Sequence, residues 1–154
     1  WHDATRALSA QVVFIIVASL ALGSALMVTG GADFLANVFV VTTHALAPGM
    51  VLGILMLVMA ILTNVVSNNA TAVIGTPIAV SIAQRMGMPV EPFVLAVLFG
   101  ANLSYATPMA YKTNLLVMNA GGYKFNDFVR VGIPLALIMW LSLTGLLTWI
   151  YQLY

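Results

Sequence analysis

Hydrophobic residues run through this chain in four tracts that carry no charge, residues 7–32, 34–84, 92–111 and 131–154. Each exceeds the ~18 apolar residues that mark a candidate bilayer span. The first contains a continuous apolar run, residues 12–28, with small residues at Gly23, Ser24 and Ala25. It predicts one spanning helix, ended by Gly30-Gly31, since glycine suits a C-terminal cap. Residues 34–46 are short for a span and predict a helix lying along the membrane surface.

Pro48 opens the next apolar run, residues 49–62, which leads into Thr63-Asn64-Val65-Val66-Ser67-Asn68-Asn69-Ala70-Thr71. Six of those nine residues are polar, and apolar character resumes at Ala72 before stopping at Arg85-Met86-Gly87. The second arm then has about 13 residues, or ~20 Å of helix. That falls short of the ~30 Å hydrocarbon layer. A re-entrant hairpin with its polar tip near the midplane is predicted in preference to two full spans.

Met88-Pro89-Val90-Glu91-Pro92 reads as an external turn, and residues 93–101 as helix. Asn102, Ser104, Tyr105 and Thr107 then cluster against Pro108. Proline lacks a backbone donor and collides with the carbonyl one turn earlier, so a break is predicted at residues 104–109, with helix resuming toward 115–118. Residues 121–128 form a short polar connection. Residues 132–151 are the last span, bounded by Trp149, Tyr151 and Tyr154, aromatic residues that favour the interface.

Composition strengthens the membrane assignment. The chain is 62% hydrophobic and 6% charged, against roughly 25% charged in an ordinary soluble domain. Five basic and four acidic residues are too few for the shell of a soluble fold. A net charge of +1 says nothing about nucleic acid, but there is no basic run to bind phosphates, so no nucleic acid is expected as a partner. With no cysteine there is neither a disulfide framework nor a thiolate metal site. The first tract is too long for a signal-peptide core and ends in no small-residue cleavage site, so it reads as a mature helix. The start at Trp1, without methionine or leader, fits one half of a longer transporter. Arg6, Lys112, Lys124 and Arg130 fall on one face and Arg85 on the other. The positive-inside rule then puts the loop 112–130 in the cytoplasm and the C-terminus outside, in the plasma (inner) membrane.

The two polar breaks carry the chemistry. Non-helical backbone at membrane depth is tolerated only where protein or a water-filled cavity shelters it, each unpaired group costing several kcal/mol. Two breaks are therefore expected to face one another. Their carbonyls and Ser, Thr and Asn oxygens suit a hard cation such as Na⁺, and the free N–H groups at helix starts suit an anion. Neither break holds Asp, Glu or His, and proton coupling usually needs a titratable group at depth. Na⁺ is favoured.

Blander roles fit the same residues. Asn and Ser in membrane helices often only join helices, and Lys112 reads as a side chain snorkelling to the interface. Gly49 and Gly53 form a pair that lets helices pack closely. Asn69-Ala70-Thr71 and Asn102-Leu103-Ser104 match a glycosylation sequon that membrane burial makes irrelevant. The nine methionines read as core filler. There is no nucleophile–base pair and no phosphate loop, so no enzyme is expected and no cofactor beyond Na⁺ as coupling ion.

At these residues the sequence resembles the divalent anion:sodium symporters, carriers of dicarboxylates and sulfate within the ion transporter superfamily. Ser67-Asn68-Asn69, followed by Ala70-Thr71, resembles the Ser-Asn-Thr motif at the tip of the family's second hairpin, with Asn69 where threonine is most frequent. Ala106-Thr107-Pro108 resembles the Ala-Thr-Pro of the unwound helix that follows, and Thr113-Asn114 lies a turn beyond. The similarity covers about residues 49–134, in the same order of hairpin, broken helix, short loop and final span. The resemblance implies an all-α polytopic protein forming the C-terminal inverted repeat of an elevator-type carrier. Residues 1–47 would be a scaffold-type spanning and interfacial pair, 48–120 a transport-type hairpin and broken helix, and 121–154 the cytoplasmic loop and last span. It also implies a homodimeric scaffold in the lipid bilayer and sodium-coupled symport of a small divalent anion. The expected ion and substrate residues are Ser67, Asn68, Asn69, Thr71, Ala106, Thr107 and Pro108, with Na⁺ at Ser67, Asn68, Asn69 and Ala106. Thr63, Asn64, Asn102, Ser104, Thr113 and Asn114 lie around them. Three rivals stand beside this expectation. One is a sodium/proton antiporter or anion-efflux relative, which needs acidic residues at depth. Another is a non-transporting membrane subunit, which predicts unbroken helices through Ser67 and Pro108. A channel would need a pore-lining ring.

Overall fold

In the computed structural model, which describes residues 10–154, every regular element is helical. The order is α1 (Ala10–Val28), α2 (Gly31–Thr43), α3 (Pro48–Thr63), α4 (Asn68–Met86), α5 (Val90–Asn102), α6 (Lys112–Gly121) and α7 (Phe125–Ile150). Backbone chemistry sets the boundaries. Gly30 takes the left-handed conformation at φ 72°, which only glycine adopts without strain, and there the chain turns 70° from α1 into α2. Pro48 opens α3 at its first turn, where a missing N–H leaves nothing unpaired. Gly87, at φ 64°, ends α4.

The core lies between α3, α4 and α5. Val51, Leu55 and Met59 of α3 meet Ile78 and Ile82 of α4 and Phe93 and Val97 of α5, and α2 adds Ala32 and Ala36. A second cluster joins Leu52, Met56 and Ala96 to Leu147 and Leu153 at the end of the chain. Helix axes approach this closely because glycines stand at the crossings. A Cβ on Gly100 would lie 2.6 Å from the Met56 carbonyl oxygen, and one on Gly75 2.6 Å from Met59 Sδ. Gly100→Ala is accordingly expected to destabilise the fold by about 1–3 kcal/mol, read as a lower melting temperature of the purified transporter. An unchanged melting temperature would mean that α3 and α5 are not held at this separation.

Gly49 and Gly53, the pair predicted to allow close packing, sit against Thr148 and Thr144 of α7. Trp140 donates from Nε1 to the Gly53 carbonyl at 2.7 Å, tying α7 to the first hairpin arm. Much of the other flank of α7 is exposed and apolar, including Val131, Ile138, Leu141 and Trp149. Its 26 residues are long and apolar enough to cross a membrane, and Leu20–Val28 of α1 with α2 passes the same test as one bent unit.

Several boundaries differ from expectation. The second helix spans 31–43 rather than 34–46, because Gly30, not a later residue, makes the turn. The second hairpin arm has 19 residues rather than about 13, since Ser67 caps a helix that already starts at Asn68. At ~28 Å that arm nearly matches the hydrocarbon layer, so its length no longer argues for a re-entrant hairpin. The polar connection shrinks to residues 122–124, as the Asp127 carboxylate accepts from the Lys124 N–H at 2.8 Å and starts α7 at Phe125. Arg6, used for orientation, lies outside the described residues. Pro77 stands inside α4 and offers no N–H to the Val73 carbonyl.

Candidate ion and anion site

Both predicted interruptions are present, and uninterrupted helices through Ser67 and Pro108 are not what the chain adopts. The first is tighter than expected, residues 64–67, and the second wider, residues 103–111. Ser67 explains the first. Its extended backbone (φ −70°, ψ 153°) and side-chain oxygen, which accepts from Ala70 N at 3.3 Å, start α4 one residue later. Asn68, Asn69 and Thr71 thus belong to the first turn of α4, where polar residues are favoured. In the second break Leu103 closes α5 with a bond from its N–H to the Gly100 carbonyl, 3.1 Å. Extended Tyr111 (φ −143°, ψ 140°) then opens α6.

The two breaks meet, and Asn64 joins them. Its Oδ1 accepts from the Ala106 and Thr107 N–H groups at 3.1 and 3.2 Å. Its Nδ2 donates to the Ala60 carbonyl at 2.7 Å and to the Leu103 carbonyl at 3.0 Å. The Thr107 hydroxyl donates back to the Asn64 carbonyl at 2.8 Å. One amide side chain thereby pairs backbone groups that unwinding had released on the opposite strand of chain.

A second set of bonds lies alongside. The fully buried Thr63 hydroxyl is 2.7 Å from the Ala101 carbonyl and 2.8 Å from Asn68 Oδ1. A hydroxyl has one proton, so it serves one of these oxygens at a time. Asn68 Nδ2 donates to Ser104 Oγ at 3.2 Å. Asn114, in the first turn of α6, donates to the Ser104 and Thr107 carbonyls at 2.9 and 3.2 Å and so braces the second break from within. Thr71 Oγ1 is the one buried side-chain oxygen without a partner among the described residues, an uncommon state for a buried polar atom. Pro108 is buried beside these groups.

Not every expected residue joins the cluster. Ser67 is exposed and its oxygen serves the helix cap. Asn69 and Thr113 are exposed. Asn102 turns away, donating to the Leu98 carbonyl of its own helix at 2.8 Å. Sequence reasoning missed Gly132 of α7, which is buried against the unwound chain. A Cβ there would collide with the Tyr105 carbonyl and lie 2.7 Å from Ala106 Cα. The available signal was a glycine in an apolar helix, where it is about 1 kcal/mol worse than alanine. A cleft of about 410 Å³, lined by Tyr105, Asn114, Val117, Tyr123, Phe128 and Gly132 among others, opens beside this junction. Among the described residues no cluster of His, Asp or Glu has metal-binding geometry.

Apolar helices interrupted by two polar, mutually bonded breaks are consistent with a membrane transporter. The chain belongs to the citrate transporter family, whose model matches residues 1–153, and this fits the resemblance to the ion transporter superfamily and its divalent anion:sodium symporters. It is 36% identical over 141 residues to an uncharacterized transporter of Synechocystis, covering 92% of this chain and 23% of that protein. An uncharacterized transporter of Escherichia coli is 34% identical over 127 residues, 82% of this chain and 21% of its own length. Sodium/sulfate cotransporter 1 of Chlamydomonas reinhardtii is 30% identical over 152 residues, covering 97% of this chain and 17% of that protein. The chain thus spans about a quarter or less of these relatives and is part of an integral membrane transporter fold.

Proposed function

We propose that the transporter to which this chain belongs couples Na⁺ entry to uptake of a small divalent anion, sulfate or a dicarboxylate. The observation that carries the proposal is the meeting of the two uncharged breaks through Asn64, Thr63 and Asn68. That junction is rich in carbonyl, amide and hydroxyl oxygens, the ligands a hard monovalent cation takes. Thr71 adds a buried hydroxyl with no partner among the described residues, an oxygen that fits Na⁺. Of the expected ion residues, Asn68, Thr71 and Ala106 are assigned to the ion, while exposed Ser67 and Asn69 stand outside the cluster, and Thr107 with Pro108 holds the opposite wall open for the anion. The cotransporter named for sodium and sulfate among the relatives supports the same ion and substrate class.

The length of α5, rather than that of the hairpin arms, supports a site at membrane depth. Met86 leads through a short turn to Val90, and α5 then runs 13 residues before its break meets the hairpin tip. That is ~20 Å, a length that supports a meeting point inside the ~30 Å hydrocarbon layer. On this basis α3 and α4 are a re-entrant hairpin entering from outside, with 112–130 cytoplasmic and the C-terminus outside. Residues 1–47 act as scaffold within a homodimer, and the hairpin with the broken helix moves against them.

Asn68→Ala in the complete transporter is expected to raise the Na⁺ concentration for half-maximal uptake several-fold while leaving expression intact. The measurement is anion uptake into vesicles under an imposed Na⁺ gradient, challenged with unlabelled sulfate, succinate and citrate. Uptake indifferent to Na⁺, or driven by a pH gradient alone, would overturn the proposal in favour of a proton-coupled or efflux relative.

A further inference from the structure

Unwound backbone has no helical ladder to orient its peptides, so the direction of each carbonyl in the second break is set by groups outside it. A peptide plane carries the carbonyl of one residue and the N–H of the next. In the trans form, the only one among the described residues, the two point opposite ways. From Ser104 to Pro108 every plane is held by an asparagine. Asn64 takes the N–H groups of Ala106 and Thr107, at 3.1 and 3.2 Å, and so fixes the inner two planes. Asn114 takes the carbonyls of Ser104 and Thr107, at 2.9 and 3.2 Å, and so fixes the outer two. Its Nδ2 has two protons, one for each oxygen. Proline lacks an N–H, so the plane between Thr107 and Pro108 can be held only by its carbonyl.

The inner carbonyls follow from this. With their N–H partners drawn toward Asn64, the Tyr105 and Ala106 carbonyls point away from it. The Tyr105 oxygen lies against Gly132 of α7, where an added Cβ would collide with it. The Ala106 oxygen accepts no backbone hydrogen bond among the described residues, and it is the backbone oxygen assigned above to the cation. Asn64 and Asn114 thus act on either side of it, one from the hairpin and one from α6. Helix α6 itself buries no residue. Among the described residues, Asn114 is its one side chain hydrogen-bonded to another segment. The amide ties this helix to the break.

We infer that Asn114 is a positioning residue for the coupling cation. It acts without touching the ion. By holding the planes on both sides, it keeps the Ala106 carbonyl from swinging. Discrimination between cations of different size depends on ligand number and flexibility, so Asn114 sets ion preference as well as affinity. The inference rests on the proposal that the Ala106 oxygen faces Na⁺.

The test compares Asn114→Ala, Asn114→Leu and Asn114→Gln in the complete transporter, measuring anion uptake into vesicles against Na⁺ and, separately, Li⁺. Alanine and leucine remove both donors. Each should raise the Na⁺ concentration for half-maximal uptake about tenfold, the scale of one to two lost hydrogen bonds. Each should also bring Li⁺ closer to Na⁺ in driving uptake. Glutamine keeps the amide, and the cleft of about 410 Å³ beside Asn114 gives its extra methylene room. It should restore most of the Na⁺ affinity and the preference over Li⁺. Leucine nearly matches asparagine in size and carries the test if the alanine variant does not insert. Asn119→Ala, at an exposed asparagine of the same helix, should leave uptake unchanged. A lower maximal rate with Na⁺ half-saturation and Li⁺ response unaltered would mark a merely structural residue and overturn the inference. Glutamine behaving like alanine would do the same. Amide hydrogen exchange, which reports local opening, separates this from the transport proposal. Asn114→Ala should speed exchange within residues 103–111 and leave α3 and α4 unaffected. If exchange rises there but uptake ignores Na⁺, the transport proposal fails and takes the ion role with it, while the clamp on the break stands. If neither exchange nor Na⁺ half-saturation changes, Asn114 positions nothing.

Discussion

Asn64→Ala is expected to cut uptake severely and lower the stability of the complete transporter. The side chain supplies one acceptor to two backbone N–H groups, Ala106 and Thr107, and one donor to the Leu103 carbonyl. Truncation leaves those groups unpaired where water has limited access, and each such loss costs about 1–3 kcal/mol. Because Asn64 is itself only half-buried, the lower end applies, giving roughly 2–4 kcal/mol in all. A falling melting temperature together with uptake down about a hundredfold is the expected result. Asn64→Asp separates the two sides of the bridge. It keeps the acceptor for Ala106 and Thr107 but loses the donor to Leu103, so it should fold better than the alanine variant and still transport poorly. Wild-type uptake by Asn64→Ala would mean that the breaks are held by other groups.

Gly132→Val is expected to have the second largest effect, by a steric route. The atoms facing a Cβ at this position are backbone, the Tyr105 carbonyl and Ala106 Cα, and they cannot turn aside as a flexible side chain would. Either α7 moves outward or the unwound chain shifts, taking the Ala106 and Thr107 N–H groups from Asn64. Overpacking of this kind costs about 1–3 kcal/mol or more. Uptake should fall at least tenfold even where the protein is still inserted. Gly145→Ala in the same helix is the matched control, because its added Cβ meets nothing within 4 Å. It should transport normally and be slightly stabilised, by up to about 1 kcal/mol. Equal behaviour of the two variants in uptake assays would remove Gly132 from the account.

The existence of the two breaks and their approach to each other were legible in the sequence, for one physical reason. Uncharged polar residues inside tracts of hydrocarbon character need partners, and the nearest candidates were one another. The edges were harder. Whether Asn68, Asn69 and Thr71 are irregular or helical depends on the oxygen of Ser67 reaching Ala70 N, a contact that composition does not report. Asn64 and Asn102 also look alike in sequence, each at the end of an apolar helix. One bonds across to Leu103, Ala106 and Thr107, and the other to its own preceding turn at Leu98. That difference is a matter of which way each helix faces, fixed by packing between distant segments. Gly132 was hidden for the same reason, since a missing Cβ matters only where another backbone comes close.

Pro77 has a mechanical consequence for α4. A helix missing a rung bends more easily at that level than elsewhere, so the arm behaves as two short rods on a soft joint. The inner rod carries Asn68 and Thr71, and the outer one carries Ser81 and Arg85. Tilting at the tip can therefore be absorbed halfway along the arm, without pulling the far end out of step with its neighbour.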